Sequence, residues 1–213
     1  MTEPLPKALA ILGASGHGKV VADLAEQLGY IVYFYDDAYP KKTSLEHWPI
    51  CGKSDDLLKQ DNTNLSVAVA IGNNTIRQQK IDLLNKEQFY LPILIHPRAT
   101  VSQYAQLSLG SVVLAGAIVN AFARIGKGVI INSSAVIEHD CVIGDFSHIC
   151  PNTSLAGGVT TGTQVWVGIG SQVKQLINIG DNVLIGAGST LLKDLPANTT
   201  AYGSPAKIIA LNS

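Results

Sequence analysis

Two histidines in the second half of the chain have neighbours that suggest acid–base chemistry. His139 is followed directly by Asp140, and His148 lies nine residues further on. An imidazole with its ordinary pKa of about 6.5 can accept a proton near neutrality. An adjacent carboxylate can hold the ring in one tautomer and favour the imidazolium that forms. The pair could therefore take a proton from a nucleophile, and a solvated corner histidine beside an aspartate is the structural alternative.

The segment that carries these histidines repeats with a period of six residues. Every sixth residue from Val101 to Leu191 is aliphatic in fifteen of sixteen hexads, and Thr161 is the exception. The position four residues later is mostly small or β-branched. A helix would need a period near 3.6 and a plain strand a period of two. The pattern predicts a β-solenoid in which each hexad supplies a short strand and a corner, so that three hexads close one triangular coil.

Stacking of the coils predicts which residues surround His139. Residues eighteen apart should lie above one another, which places Ala121 one coil before His139 and Gly157 one coil after it. These small neighbours are expected to leave a groove beside the imidazole. His148 holds the last place of its hexad, where we expect side chains near the outer edge. Glycines follow the inward position in several hexads, where we expect them to ease the turn, at Gly126, Gly144, Gly162, Gly168, Gly180 and Gly186.

The N-terminal half predicts a small Rossmann-like α/β domain. Residues 7–12 and 31–35 read as buried strands, and residues 65–72 as a third. A Gly-rich turn over residues 13–19 precedes a predicted helix, and a second helix runs through Ile81 and Leu84. The apolar face of the first helix is expected to hold Val20, Val21, Leu24 and Leu28. We expect a parallel sheet in residues 1–95, the solenoid in residues 96–196 and a capping tail in residues 197–213.

The Gly-rich turn favours a nucleotide site without matching the dinucleotide fingerprint. Gly13, Gly16 and Gly18 give GxxGxG rather than GxGxxG, so a turn that only lets the helix pack closely is an equal alternative. Backbone N–H groups at a helix N-terminus favour phosphate. Asp36 and Asp37 follow the next strand, where a carboxylate can meet a ribose or a base.

Composition excludes several classes of protein. Hydrophobic residues make up 46% of the chain and the net charge is -1, which indicates a folded protein without a nucleic-acid surface. No charged residue occurs between Arg98 and Arg124, but the hexads explain this stretch better than a membrane span does. The first residues make a poor signal peptide, and three cysteines form no complete disulfide set. We therefore expect a cytoplasmic protein.

The hexad pattern [LIV]-[GAED]-x-x-[STAV]-x resembles that of the hexapeptide-repeat acyltransferases. This resemblance implies a left-handed parallel β-helix and a homotrimer with active sites between neighbouring subunits. Across the whole chain, the order of motifs is similar to that of the NeuD/PglD-type sugar acetyltransferases, above all to the UDP-4-amino-sugar N-acetyltransferases of the UDP-N,N'-diacetylbacillosamine pathway. The motifs are GASGHG, a strand ending in DD, AIGNN, LIHP, NSSAVIEHDCVIGDFSH and the closing GSPAK.

The resemblance implies direct transfer of an acetyl group from acetyl-CoA to the 4-amino group of a UDP-4-amino-4,6-dideoxy-N-acetylhexosamine, without a metal. His139 would be the general base and Asp140 its partner. The implied nucleotide-sugar contacts are Ser15, Gly16, His17, Asp36, Asp37 and Gly72. The implied acetyl-CoA contacts are His148, Ile169 and Ala187. The stacking of residues eighteen apart adds Gly157 as a contact and predicts that the groove beside His139 takes the pantetheine arm. We also expect the Gly157 N–H to stabilise the thioester oxyanion.

Several alternatives stay open. His148, Ile169 and Ala187 could be ordinary coil residues, and Asn132 is a weaker candidate for a substrate contact. The same fold and base would serve O-acetylation of a sialic acid or N-acetylation of a GDP-linked amino sugar. A γ-type carbonic anhydrase needs three histidines on zinc, and His96, His139 and His148 fit that spacing poorly. A non-catalytic nucleotide-sugar scaffold would bind substrate without consuming a thioester.

Overall fold

The computed structural model describes residues 7–63 and 65–211. It divides into two compact units, Met1–Leu94 and Ile95–Ser213. The first unit contains β1 (Lys7–Leu12), α1 (Gly16–Gln27), β2 (Tyr30–Tyr35), β3 (Ser44–Leu45), β4 (Trp48–Gly52), α2 (Ser54–Leu57), β5 (Leu65–Val69) and α3 (Asn74–Lys86).

The first unit is built on a five-stranded sheet of order β3-β4-β2-β1-β5. Strands β1, β2, β4 and β5 are parallel, and only β3 runs antiparallel to its neighbour β4. The central strand β1 is fully buried from Leu9 to Ile11, as a strand covered on both faces must be. The strand–helix–strand alternation of the sequence is thus confirmed, and β3, β4 and α2 are additions that the sequence pattern did not predict.

Helix α1 differs from the prediction in its start and in its buried face. It begins at Gly16, so the second half of the Gly-rich segment forms its first turn. Val20 and Leu28 are 43% and 39% exposed, contrary to the expected apolar face. A Cβ on Gly18 would lie 2.5 Å from the Gly13 carbonyl oxygen, so α1 makes its closest approach through that glycine. The buried face therefore combines small residues with two larger aliphatic ones, namely Gly18, Val21, Ala22, Leu24 and Ala25.

The second unit is a parallel β-helix of short strands. They are β6 (Leu94–Ile95, at the boundary of the units), β7 (Thr100–Val101), β8 (Gln106–Leu107), β9 (Val112–Val113), β10 (Ile118–Val119), β11 (Arg124–Ile125), β12 (Ile130–Ile131), β13 (Val136–Ile137), β14 (Val142–Ile143), β15 (His148–Ile149), β16 (Ser154–Leu155), β17 (Thr160–Thr161), β18 (Trp166–Val167), β19 (Gln172–Val173), β20 (Asn178–Ile179), β21 (Leu184–Ile185) and β22 (Thr190–Leu191). The chain ends in β23 (Thr199–Gly203) and β24 (Ala206–Leu211).

Three sheets form the sides of the solenoid. Sheet I contains β7, β10, β13, β16, β19 and β22, sheet II contains β8, β11, β14, β17 and β20, and sheet III contains the remaining strands from β6 to β24. Strand partners are eighteen residues apart, as in the pairing of Val119 with Ile137. The second residue of most strands is buried in one continuous core together with the small residue four positions later, for example Ile137 and Cys141. The predicted hexad geometry is confirmed.

The glycines that follow the strands have a different role from the predicted one. None of those six adopts a positive φ, and the left-handed turn residue lies two positions further along the chain, as at Phe146 with φ 58°. A Cβ on Gly168 would instead lie 2.6 Å from the Ile185 carbonyl oxygen of the next coil. The expectation that these glycines ease the turn is therefore wrong, because they are required for the close approach of successive coils.

The C-terminal segment leaves the hexad register. Leu195 pairs with Ile179 at an offset of sixteen residues rather than eighteen, slightly before the expected break at Ala197. Strand β23 then pairs in parallel with β21 and places Ala201 in the core. Strand β24 returns antiparallel along β23, so the tail forms a hairpin at the edge of sheet III.

Candidate active site and nucleotide cleft

His139 and Asp140 form the corner between sheets I and II. They lie between β13 and β14, where Asp140 adopts a left-handed φ of 60° that aspartate tolerates better than most residues. The Asp140 N–H donates to the Ala121 carbonyl one coil before, at 3.2 Å. The His139 carbonyl accepts from the Gly158 N–H one coil after, at 2.9 Å. The backbone of the corner is thus held by both neighbouring coils.

The two side chains of this corner are paired and open to solvent. The Nδ1 atom of His139 lies 2.8 Å from the Oδ2 atom of Asp140, and the side chains are 63% and 64% exposed. Because an ionised carboxylate can only accept, Nδ1 carries the proton in this pair. The other ring nitrogen, Nε2, is then an acceptor that can take a proton from a nucleophile.

Gly157 makes room for the imidazole. A Cβ on this glycine would lie 2.6 Å from both Cε1 and Nε2 of His139. The space beside Gly157 is therefore filled by the ring itself and is not open, whereas a groove on the side of Ala121 stays a prediction. Among the described residues, the Gly157 N–H donates to no backbone carbonyl.

His148 lies in sheet III, away from the corner of His139. It occupies an outward position, as expected, but it is 6% exposed, so its side chain is buried and not open to solvent. Its ring packs edge-on against Trp166, with centroids 4.4 Å apart, and its Nε2 lies 3.0 Å from the amide nitrogen of Asn132. The outward face of sheet III is covered at this level, and the hexad pattern carries no information about that cover.

Ile169 and Ala187 occupy a third place, the corner between sheets III and I. They are stacked one coil apart, where the Ile169 carbonyl accepts from the Gly188 N–H at 2.8 Å. Ile169 is 52% exposed. Within a single chain, the predicted acetyl-CoA contacts are therefore spread over two corners and one sheet, and only Gly157 adjoins His139.

The first unit has a cleft of about 320 Å³ at the carboxyl ends of its parallel strands. The predicted residues Ser15, Asp36, Asp37 and Gly72 line it, while Gly16 and His17 lie next to it in the first turn of α1. This is the edge where parallel α/β sheets bind ligands. The remaining lining residues are Leu12, Gly13, Ser54, Ile71, Ile76 and Lys80.

The structural requirement for glycine differs among the glycines that line or adjoin the cleft. Gly13 has a φ of 106°, and Gly18 permits close packing, as the structural alternative supposed. A Cβ on Gly16 or Gly72, by contrast, would meet nothing within 4 Å, and neither residue has a positive φ. The described protein therefore does not require glycine at these two positions. The N-cap side chain of Ser15 makes no capping hydrogen bond, which leaves the start of α1 available to an anion.

Asp36 holds the Gly-rich turn in place. Its Oδ2 accepts from the Ala14 N–H at 2.7 Å, and its Oδ1 accepts from the Ala38 N–H at 2.9 Å. The Lys42 ammonium donates to the Ala14 carbonyl at 2.6 Å. The loop after β2 thus binds both the N–H and the carbonyl of Ala14. Asp36 therefore has a structural role in addition to the predicted substrate contact.

Two basic groups near the start of α1 have lowered pKa values: His17, half-buried in the first turn of α1, and Arg77, buried on α3. Arg77 is 1% exposed and donates to the carbonyls of Ile71 and Gly72 at 3.0 and 2.9 Å. Burial lowers the pKa of Arg77 to about 10. Burial, with a smaller effect of the Arg77 charge, lowers the pKa of His17 to about 4, so this imidazole is neutral at pH 7.

Comparison with known proteins gives a consistent assignment. Residues 8–84 match the PglD N-terminal domain, and residues 122–157 match six repeats of the bacterial transferase hexapeptide. The acetyltransferase domain of PglB from Neisseria gonorrhoeae is 39% identical, with a TM-score of 0.92 over 95% of this chain and 100% of that one. The chain belongs to the PglD-type hexapeptide-repeat acetyltransferases. The solenoid of this acetyltransferase is accordingly the left-handed β-helix of its family.

Other relatives of this PglD-type acetyltransferase differ in acceptor. GDP-perosamine N-acetyltransferase PerB from Caulobacter crescentus is 35% identical, with a TM-score of 0.91 over 95% of this chain and 97% of that one. A serine acetyltransferase of Synechococcus elongatus is 35% identical over 113 residues, which are 48% of this chain and 46% of that enzyme. The chain spans about half the length of the first curated relatives that it matches.

Two further observations concern the described part of this PglD-type chain. Its described residues contain no group of three or more His, Cys, Asp or Glu side chains arranged to hold a metal ion. Within residues 7–63 and 65–211, no helix has the length and apolar character that a membrane crossing requires.

Ser54 and Lys80 are cleft residues that the sequence reasoning missed. They lie on α2 and α3, which follow β4 and β5 and begin at the same sheet edge as the Gly-rich turn. The general rule that ligands bind at this edge could have drawn attention to Lys80, since α3 was predicted. Ser54 had no such signal, because its four-residue helix has no detectable period.

Proposed function

We propose that the protein transfers an acetyl group from acetyl-CoA to the 4-amino group of a UDP-4-amino-4,6-dideoxy-N-acetylhexosamine. The observation that carries the proposal is the His139–Asp140 pair, whose 2.8 Å contact leaves Nε2 as the proton acceptor. The PglD-type N-terminal unit, with its cleft at the strand ends, supplies the second part of the argument.

The chemistry follows from the protonation state of the pair. As the amine nitrogen attacks the thioester carbon, Nε2 of His139 takes the proton that the nitrogen loses. Asp140 stabilises the imidazolium through Nδ1. When the tetrahedral intermediate collapses, the C–S bond breaks and the imidazolium returns the proton to the departing sulfur. The products are the acetamido sugar and the free thiol of CoA, and no covalent acyl-enzyme is required.

The assignment of acetyl-CoA as donor rests on the relatives. The PglB domain from Neisseria gonorrhoeae forms a complex with acetyl coenzyme A, and that complex has a TM-score of 0.93 with this chain. Gly157 adjoins the imidazole, and its N–H, which donates to no backbone carbonyl in the described chain, is our candidate for the oxyanion donor. His148, Ile169 and Ala187 remain candidate acetyl-CoA contacts.

The nucleotide-sugar is assigned to the cleft of the first unit. The open start of α1 suits the diphosphate, and the space beside Gly16 and Gly72 lets a ligand approach the backbone. Asp37 and Ser15 line the same cleft. A GDP-linked amino sugar is the second candidate acceptor, because PerB, at 35% identity, was crystallised with GDP-perosamine.

We propose that the enzyme is a homotrimer, as its family resemblance implies. The corner of His139 carries exposed apolar side chains: Tyr104 and Phe122 are 57% and 61% exposed and stack on each other with centroids 5.4 Å apart. Leu176, at the same corner, is 74% exposed. A neighbouring copy would cover these apolar side chains, and the mass in solution, measured by light scattering, tests the assembly.

The test of the proposed reaction is thiol release from acetyl-CoA with a UDP-4-amino-4,6-dideoxy-N-acetylhexosamine as acceptor. We expect turnover by the parent protein and a loss of about 100- to 10,000-fold in His139→Ala, the usual contribution of a positioned general base. His47→Ala is the matched control, since His47 is exposed in the other unit. Retention of activity within a few-fold in His139→Ala would reject the assigned base. Turnover with a GDP-linked sugar alone would select the second acceptor.

A further inference from the structure

Arg77 is a buried cation that holds the loop at the end of β5. Its side chain belongs to α3 and is 1% exposed. Its Nη1 donates to the carbonyls of Ile71 and Gly72, at 3.0 and 2.9 Å, and its Nη2 donates to Asn74 Oδ1 at 2.8 Å. One guanidinium therefore binds two successive carbonyls of a loop that lines the cleft of the first unit.

These hydrogen bonds determine the direction of two backbone N–H groups. The peptide bonds that join residues 71–72 and 72–73 are trans, and in a planar trans peptide the N–H points opposite to the C=O. The N–H groups of Gly72 and Asn73 therefore point away from the Arg77 guanidinium. Neither of them donates to a backbone carbonyl among the described residues. Two neighbouring donors thus lie on the side of the loop opposite the buried cation.

The loop adjoins both open space and the Gly-rich turn. A Cβ on Gly72 would meet nothing within 4 Å, so a ligand can approach the backbone there. A Cβ on Gly13 would lie 3.0 Å from Ile71 Cγ1, so the loop packs directly against the Gly-rich turn. Ser15 and Gly72, one from each segment, line the same cleft of about 320 Å³. The start of α1 and residues 72–73 therefore bring two sets of backbone N–H groups to one cleft.

The charges around this loop favour an anionic oxygen. Burial lowers the pKa of Arg77 to about 10, so the side chain still carries its proton at pH 7. Successive backbone N–H groups form concave sites for anions, and salt screens a buried charge much less than a surface charge. The carboxylates of Asp36 and Asp37 follow β2, whereas the loop follows β5, and β1 separates these two strands in the sheet. The cation and the carboxylates thus belong to opposite flanks of the sheet edge.

We propose that Arg77 is a positioning residue for substrate binding, which fixes the loop so that the N–H groups of Gly72 and Asn73 donate to a phosphate oxygen of the nucleotide sugar. This inference rests on the proposed function, in which the start of α1 binds the same diphosphate. One phosphate group would meet the start of α1 and the other would meet residues 72–73. Arg77 acts only through the backbone of the loop, since its own N–H groups bind the Ile71 and Gly72 carbonyls on the buried side.

Residue 73 offers a matched pair of variants that differ in one N–H group. Asn73 has a φ of -64°, close to the value that proline fixes, so Asn73→Pro deletes the N–H and keeps φ. The Asn73 side chain accepts from the Ile76 N–H at 3.0 Å, and Asn73→Pro and Asn73→Ala both lose this cap. Asn73→Ala is therefore the reference. In calorimetric titrations of the full chain, Asn73→Pro should bind UDP and inorganic pyrophosphate about 10- to 100-fold more weakly than Asn73→Ala does, the loss of one hydrogen bond to a charged group.

Arg77→Lys tests the positioning residue itself. It keeps the charge but replaces the planar fork by one nitrogen, so the two carbonyls are held less firmly. UDP affinity should fall about 3- to 30-fold from that of the parent. In thiol-release assays the KM for the nucleotide sugar should rise by the same factor, while kcat and the KM for acetyl-CoA stay within about twofold, because a phosphate contact is made equally in the ground and transition states. Arg98→Lys, the same change at an exposed arginine of the other unit, should leave all these values unchanged.

The outcomes separate this inference from a structural role and from the proposed function. A purely structural Arg77 would lower the unfolding midpoint of Arg77→Lys and leave the UDP affinity of the folded protein at the parent value, which would overturn the inference. Equal UDP affinities of Asn73→Pro and Asn73→Ala would also overturn it. A loss confined to UDP, with pyrophosphate binding unaltered, would overturn the assignment of the N–H groups to phosphate. A parent protein that binds no UDP would overturn the proposed function.

Discussion

Replacing Gly157 by alanine should lower acetyl transfer by about a hundredfold and leave the solenoid folded. The new Cβ would lie 2.6 Å from Cε1 and Nε2 of His139, whereas carbon atoms in contact sit about 3.5–4.0 Å apart. The ring must therefore move by about 1 Å. A displacement of that size at a reacting group costs about 100-fold in rate, or about 2.7 kcal/mol of transition-state stabilisation.

The stability of the variant should change little, for two structural reasons. Gly157 does not have a positive φ, so alanine can adopt its backbone conformation. The His139 side chain is 63% exposed, so the ring can swing into solvent without disturbing the core. Thermal unfolding followed by circular dichroism should therefore give midpoints within a few degrees of each other.

A double-mutant cycle isolates the contact between Gly157 and His139. Thiol release would be measured for the parent, Gly157→Ala, His139→Ala and the double variant. If alanine acts only by moving the ring, it should cost about a hundredfold in the parent background and less than about threefold once the imidazole is gone. The variant keeps the residue 157 N–H, so this loss is separate from any oxyanion contribution. A full hundredfold loss in the His139→Ala background, or none in the parent, would refute the reasoning.

Two other predictions concern stability and the cleft. The pKa of His17 is about 4 in the folded chain against about 6.5 unfolded, so the unfolded state alone gains a proton between those values. The free energy of unfolding, from urea titrations at pH 7 and pH 4.5, should be lower at pH 4.5 by about 2 kcal/mol. His17→Gln should reduce this difference, and an equal difference in the two proteins would contradict the assignment. Gly168→Ala should destabilise the solenoid by about 1–3 kcal/mol because its Cβ meets the Ile185 carbonyl, whereas Gly16→Ala should leave stability unchanged and weaken UDP binding. Equal unfolding midpoints for the two glycine variants would contradict the coil-contact argument.

The solenoid could be predicted from the sequence because its repeat is a burial requirement. Each hexad must send one aliphatic residue inward, so residues such as Ile137 and Ile143 mark both the period and the core. The same pattern placed Gly157 beside His139, and the structure brings these two together. Local periodicity and column stacking were sufficient for this part of the site.

The sequence patterns did not predict features that depend on contacts between residues distant in the chain. The hexads distinguish inward from outward positions, but they do not say which outward positions are covered, so the burial of His148 was not predictable. The buried face of α1 is shifted from the predicted apolar face toward Gly18, because a residue without a side chain allows the closest packing. In the cleft, Ser54 bonds both Asp37 and Lys80, which are far apart in sequence, from a short helix with no period of its own.

Because paired residues are eighteen apart, the solenoid can change its length only in steps of one coil. Each coil adds one strand spacing, about 4.8 Å, along the axis. Insertion or deletion of eighteen residues beyond His139 would shift the C-terminal hairpin along the axis by one coil. Every later residue would stay on its own sheet. Insertion or deletion of six residues would instead move every later strand onto a neighbouring sheet of the solenoid. The distance between His139 and the C-terminal hairpin can therefore change only by whole coils if the later residues are to keep their sheets.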